Sequence, residues 1–259
     1  MNAQNVSFIV RDLEQKAKNV CLSVIVPTYN ESENIKDVVA GLIEALNVKC
    51  PDDYEIIVVD DNSPDLTWKI VEELIREYPQ VQLIKRMEEN GLSSAVIRGW
   101  QASCGEFLGV MDGDRQHPVT AMRDLVEIIR KTPDIDLIVA SRNMVGGGVS
   151  DWSIRRRIIS RSAQMFGLIF IPSVVGRVSD PLSGYFIVRR DSIAGKVLKP
   201  LGYKILIEVM AKGNIRKTEE VGYVFQERKM GRSKVRIHVY WEYILQLIQI
   251  CFYKLKAKE

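Results

Sequence analysis

The sequence predicts an α/β protein with a mostly parallel central sheet and helices on both faces. Three observations lead there. Short apolar runs alternate with amphipathic stretches from Cys21 to Ala140, the pattern of parallel strands joined by crossing helices. Polar clusters follow three of those runs, at Thr28–Glu31, Asp60–Asp65 and Asp112–Gln116. In such sheets ligands bind outside the C-terminal edges of the strands, so the clusters should converge in space. Finally, 46% hydrophobic and 27% charged residues over 259 positions suit one substantial core with a small appendage.

Each element has its own signal. Residues 1–19 are polar and read as a loose arm or short helix. Cys21–Pro27 reads as a buried strand stopped by proline, which has no N–H for a ladder. Ser32-Glu33-Asn34 opens an apolar-periodic helix to about Leu46. Tyr54–Asp60 is a second strand, Thr67–Tyr78 an amphipathic helix and Val81–Lys85 a third strand. Gly91–Ser103 is helical in pattern, and Phe107–Met111 is a fourth strand. Pro118–Arg130 is a helix and Asp136–Ala140 a further strand. The pattern then changes. Gly146-Gly-Gly148 reads as a flexible hinge or loop, and Arg155-Arg-Arg157 and Arg161 precede an apolar run from Met165 to Val175. Asp180-Pro-Leu-Ser-Gly184 reads as a turn, Tyr185–Val188 as a strand and Val221–Arg228 as another. This divides the chain into an arm (1–19), a main α/β domain (20–236) and a C-terminal amphipathic helix (237–259).

Composition narrows the function. A net charge of +3 leaves no footprint for nucleic acid. Four scattered cysteines have neither metal-ligand nor disulfide-framework spacing, which points to a reducing, cytosolic face. The polar N-terminus argues against a secretory signal, and no stretch of about 20 apolar residues reads as a membrane span. No G-x-G-x-x-G follows the first strand and no P-loop occurs, so dinucleotide dehydrogenases and P-loop enzymes drop away.

The most informative stretch is Met111-Asp-Gly-Asp-Arg-Gln-His-Pro118. Asp112 and Asp114 stand where a buried strand runs out, and two carboxylates there can offer oxygen to a hard divalent cation that neutralises a diphosphate. Aspartates are also ordinary turn residues, so the neighbouring clusters carry the weight. Asp60 and Asp61, at the next edge, can hydrogen-bond a base or ribose hydroxyls.

Taken together, Val26-Pro-Thr-Tyr-Asn-Glu31, Val59-Asp-Asp-Asn-Ser-Pro-Asp65, Gly91-Leu-Ser-Ser-Ala95 and Met111–Pro118 resemble the ordered motifs of family-two inverting glycosyltransferases. Ser141-Arg142, Asp180–Gly184 and Arg228…Gly231-Arg-Ser-Lys234 narrow the resemblance to polyprenyl-phosphate (dolichyl-phosphate) mannose synthases. It covers residues 21–236. Gly113 stands where the family usually has Ala, and Asn62 where it has Gly or Ser.

The resemblance implies a GT-A fold, a nucleotide-sugar donor, Mg²⁺ or Mn²⁺ and a lipid-phosphate acceptor. By position, Pro27, Tyr29, Glu31 and Asp61 would hold the nucleotide, and Asp112, Asp114 and Gln116 the metal and diphosphate. Arg142 and Arg155 would grip the acceptor phosphate, while Arg228 and Lys234 would close over the phosphates. The residue types suit that chemistry. A sugar hydroxyl needs a carboxylate base, whereas a lipid phosphate is already an anion and needs arginine's planar paired donors. His117 is then expected to cap a turn or helix start. Asp180 is read equally as an Asp-Pro turn residue and as a sugar contact, and Glu31 either as a nucleotide contact or as a first-turn charge favoured by the helix dipole.

Near the C-terminus, Trp241, Ile244, Leu245, Ile248, Phe252 and Leu255 share a helical face ahead of Lys254, Lys256 and Lys258. Packing on the core and lying in a membrane interface are the two readings. The expected reaction moves mannose from GDP-mannose to a polyprenyl phosphate at the cytoplasmic face of a membrane. Contact with that membrane would be peripheral, with a membrane-anchoring subunit as a candidate partner. The alternatives are UDP-glucose as donor, a glycan hydroxyl as acceptor, or a catalytically dead nucleotide-sugar-binding subunit.

Overall fold

A computed structural model describes residues 8–9, 20–150, 154–199, 202–227 and 238–256. In chain order its elements are β1 (Phe8–Ile9), β2 (Val20–Thr28), α1 (Ile35–Lys49), β3 (Tyr54–Asp60), α2 (Thr67–Glu77), β4 (Val81–Lys85), α3 (Leu92–Ala102), β5 (Gly105–Val110), α4 (Thr120–Lys131) and β6 (Leu137–Ser141). There follow β7 (Gly148–Val149), α5 (Ile154–Phe170), α6 (Pro172–Val175), β8 (Phe186–Arg189), α7 (Arg190–Ile193), β9 (Val197–Leu198), α8 (Ile205–Lys212), β10 (Thr218–Gly222), β11 (Val224–Phe225) and α9 (His238–Lys256).

The main sheet has seven strands in the order β10-β6-β8-β5-β2-β3-β4. All of its neighbours pair parallel except β8, which runs antiparallel to both β5 and β6. The central strands read as unbroken apolar runs because both faces are covered. Ile25, Ile57 and Val59 point into a core shared with α3, α6, α8 and α9. Leu22, Val24, Val26, Ile56 and Val58 point into a second core under α1, α2 and α4. This is the two-faced α/β sheet the alternation predicts.

The reversed β8 positions the site. It begins where its neighbours end: Phe186 lies opposite Val110 at the end of β5 and opposite Val139 near the end of β6. The Asp180–Gly184 turn just before it is therefore delivered to the sheet's ligand-binding edge, beside Asp112 and Arg142.

Several sequence expectations are corrected. β2 continues through Pro27 to Thr28. Ile25 O accepts from Met111 N on the β5 side and Thr28 O from Asp61 N on the other, both at 3.1 Å. By strand alternation Pro27 faces the β5 side, where the ladder has ended at Ile25, so its missing N–H is not needed. The expected strand Val221–Arg228 is split at Tyr223, and β11 pairs with β7 in a small sheet of its own. Consequently Gly146–Gly148 is no free hinge: Gly147 N bonds Met144 O at 2.8 Å and Gly148 N bonds Tyr223 O at 3.0 Å. Within the arm, Phe8–Ile9 forms a strand on Val197–Leu198 rather than a helix.

The C-terminal helix carries two apolar faces. Tyr243, Leu247 and Ile250 are buried in the core, while Trp241, Leu245, Ile248, Phe252 and Leu255 are exposed. Tyr243 Oη donates to Ala163 O at 2.8 Å and ties α9 to α5. That neighbour exposes Met165, Phe166, Ile169 and Phe170.

Candidate active site

On the first side of the cleft, the loops after β2 and β3 brace each other. Asn30 N donates to Ser63 Oγ (3.0 Å), Glu31 N to Thr67 Oγ1 (2.9 Å) and Ser32 N to Asp65 Oδ2 (3.0 Å). Pro27 is buried and Tyr29 exposed. Glu31 is buried, and its Oε2 accepts from Asn34 Nδ2 at 2.9 Å.

The adjacent aspartates part company. Asp60 is fully buried and shapes the loop, taking bonds from Thr28 Oγ1 (2.8 Å), Ser63 Oγ (2.6 Å) and Ser63 N (2.8 Å). In this geometry both of its carboxylate oxygens are engaged in holding the loop. Asp61 sits at the rim, where Arg86 donates to Oδ1 through Nε (2.7 Å) and Nη2 while Gly91 N donates to Oδ2 (2.8 Å). Burial raises the Asp61 carboxyl above its usual range, against the opposing pull of Arg86.

Sequence reasoning missed Arg86. It is buried, and it also bonds Ser94 Oγ and Gly91 O, both at 2.9 Å, pinning the N-terminus of α3 to the β3 edge. Its position gave a signal, because it directly follows β4 at the same edge as the other clusters.

At the cleft's centre, β5 ends and Asp112–His117 follow. Gly113 packs against β2, where a Cβ would come 3.0 Å from the Thr28 methyl, so this loop meets the first cluster as predicted. Asp114 and Gln116 are buried, with Gln116 N bonded to Asp114 Oδ1 at 3.1 Å. Gln116 Nε2 donates to Gln226 O (3.1 Å), which fixes the amide. Asp112 Oδ1 is buried and takes no hydrogen bond. An orphaned carboxylate oxygen beside a second carboxylate and an oriented amide is a hard-oxygen donor set suited to Mg²⁺ or Mn²⁺.

His117 does not cap the helix. Its Nε2 lies 3.3 Å from Asp112 Oδ2 and its ring is enclosed by Tyr185, Tyr223 and Phe225, with centroids 5.1, 5.5 and 5.2 Å away. This aromatic box holds the His117 ring against Asp112. Nothing local in the sequence announces it, because its walls come from distant segments.

On the far side, Arg142 follows β6 and forks onto Asp180: Nε to Oδ2 at 2.6 Å, Nη2 to Oδ1 at 2.7 Å, and its own N to Oδ2 at 3.0 Å. Burial alone would raise the Asp180 carboxyl, but bonding and charge from Arg142, with a smaller contribution from Lys204, hold it below the usual range. The turn is stitched to β6 through Ser183 Oγ on Ala140 O (2.7 Å) and Ser141 Oγ against Ser179 Oγ (2.7 Å). Gly184 lies over Asp112, since a Cβ there would come 3.4 Å from Oδ2. One turn therefore touches both the Asp112 side and the Arg142 side. Arg155 lies at the start of α5 with its side chain outside the described part, and Arg228 and Lys234 fall outside the described residues.

A family profile described as "Glycosyl transferase family 2" matches residues 23–195. A dolichol-phosphate mannosyltransferase of Pyrococcus furiosus is 41% identical over 229 residues, covering 88% of this chain and 63% of that protein. The Saccharomyces cerevisiae protein of the same name is 33% identical over 244 residues, covering 91% and 88%. Among solved structures, glucosyl-3-phosphoglycerate synthase from Mycobacterium tuberculosis, in complex with Mn²⁺, UDP and phosphoglyceric acid, superposes with a TM-score of 0.63 at 20% identity. That match covers 90% of this chain and 78% of that one. The likeness is one of fold, and the fold is GT-A.

Proposed function

The chain belongs to glycosyl transferase family 2, and on that premise we propose that it moves mannose from GDP-mannose onto a polyprenyl (dolichyl) phosphate with a divalent cation. One observation carries the choice of acceptor. The acid on the acceptor side, Asp180, has both oxygens taken by Arg142, which holds its carboxyl below the usual range and makes it a weak base. A transferase acting on a glycan hydroxyl would need that carboxylate as a base. A phosphate acceptor is already anionic and needs a positioned guanidinium instead. The relatives named dolichol-phosphate mannosyltransferase support the same acceptor and sugar.

In this reading Tyr29, Glu31 and Asp61 hold the nucleoside, with Pro27 behind them. Asp112, Asp114 and Gln116 hold the metal, which when bound supplies positive charge against the departing diphosphate. Arg142, oriented by Asp180, presents the acceptor phosphate, with Arg155 assigned to the same anion. A phosphate oxygen forms the new bond to the anomeric carbon as the bond to the diphosphate oxygen breaks, with inversion. Arg228 and Lys234 close over the phosphates. The guanine preference is tested by calorimetric titration of GDP and UDP in Mn²⁺. GDP should bind more tightly, and tighter UDP binding would refute the GDP-mannose donor in favour of UDP-glucose.

A membrane contact follows from the same acceptor. None of the described helices is long and apolar enough to cross a bilayer, yet α5 and α9 together expose a broad apolar face. Such a face, on a protein whose acceptor lies in a bilayer, is assigned to the membrane interface on its cytoplasmic side. Co-sedimentation with anionic vesicles should fall several-fold in a Phe166→Glu/Trp241→Glu variant. Equal sedimentation of variant and wild type would remove the assignment.

A further inference from the structure

Arg142 and Asp180 alone make a poor anion seat. Their charges cancel, one plus against one minus, so the forked pair is formally neutral. The group that restores positive charge is Lys204, just ahead of α8. Its Nζ donates to Leu182 O at 3.0 Å, inside the turn that carries Asp180, and Asp180 feels its charge. Lys204 thus brings a second positive charge to the Asp180 side of this group, while Arg142 also feels the charge of Asp112 across the turn.

Lys204 is itself held from behind. Its carbonyl accepts from Gln246 Nε2 of α9 at 3.1 Å, and Gln246 is buried. Two residues earlier, Gly202 adopts a φ of +59° with α9 pressed against it, where a Cβ would come 3.0 Å from Glu242 Oε2. Its carbonyl accepts from Ser93 Oγ of α3 at 2.7 Å. The 202–204 loop thus touches α3, α9 and the Asp180–Gly184 turn.

Resting on the acceptor role given above to Arg142, we propose that Lys204 is a positioning residue that fixes the Arg142–Asp180 pair and adds positive charge beside it, with Gln246 of α9 setting its place. The seating of the C-terminal helix is thereby linked to acceptor binding.

Initial rates with varied polyprenyl phosphate at fixed GDP-mannose, and the reverse, test this in the full chain. Lys204→Met should raise the acceptor KM by about tenfold or more, as loss of a nearby charge in a partly buried site requires, while the donor KM stays within about twofold. Lys204→Arg should recover most of the loss, and Gln246→Leu should shift the same constant in the same direction by less. If Lys204→Met lowers only the melting temperature and leaves both KM values unchanged, the lysine merely ties down a turn and the inference is overturned. Arg142→Lys, run alongside, separates the two levels. If it raises the acceptor KM and Lys204→Met does not, only the lysine's role fails. If neither does, the acceptor-side reading fails and takes this inference with it.

Discussion

Asp114→Ala should abolish sugar transfer and, with it, metal-dependent nucleotide binding. Asp114 is buried in the loop after β5, two residues beyond Asp112, whose Oδ1 is buried without a hydrogen-bond partner. Removing it takes away a hard ligand and the negative charge that makes cation binding favourable there. A metal's stabilisation of a departing diphosphate is several kcal/mol, so turnover should drop about a thousandfold or more. Asp114 also accepts the Gln116 N–H at 3.1 Å, so alanine loosens the loop as well. Asp114→Asn separates the two roles, since it keeps an acceptor oxygen for that N–H while losing the charge. It should fold like wild type and remain almost inactive. Turnover of either variant within about tenfold of wild type would contradict the metal assignment.

Arg142→Ala should be nearly as damaging to transfer and more damaging to the fold. The guanidinium is largely buried and shares two side-chain bonds with Asp180, which is 2% exposed. Removing one partner of such a pair leaves an uncompensated buried charge, at a cost of about 3–5 kcal/mol. The pH dependence carries its own sign. Asp180's carboxyl is depressed in the folded protein, so the pair contributes stability above the unfolded aspartate value of about 3.9 and loses it as pH falls through the folded value. Urea unfolding should therefore show the widest gap between wild type and Arg142→Ala near neutral pH, narrowing in acid. Nucleotide affinity should stay nearly unchanged, because Asp61 and Arg86 are held by contacts on the other side of the cleft. A collapse of GDP binding with acceptor dependence intact would move Arg142 to the donor half.

What could be read in the sequence follows from how local each signal is. Asp112 and Asp114 stood out because an apolar run ends beside them, and in a parallel sheet that ending defines the ligand edge. The direction of β8 was not legible. Tyr185–Val188 looks the same in either orientation, and only its long connection from β6 reverses it. Yet that reversal brings Asp180 to Arg142 across 38 positions of sequence. Asp60 and Asp61 were read as a pair, though strand alternation turns one inward to the loop and the other outward to the rim. The box around His117 needs Tyr185, Tyr223 and Phe225 from segments that meet only in the folded chain. The α9 periodicity revealed one apolar face, and the second was hidden because Tyr243, Leu247 and Ile250 complete a helix that is apolar nearly all round.

The most direct test of the whole account is a transfer assay with radiolabelled GDP-mannose and UDP-glucose. Each is offered with polyprenyl phosphate or with the unphosphorylated polyprenol, with Mn²⁺ or with a chelator. Label should enter the lipid only from GDP-mannose, only onto the phosphorylated acceptor and only with the divalent ion present. Transfer to the unphosphorylated alcohol, or an undiminished rate in chelator, would contradict the division of the cleft into a metal-held diphosphate and an arginine-held acceptor phosphate.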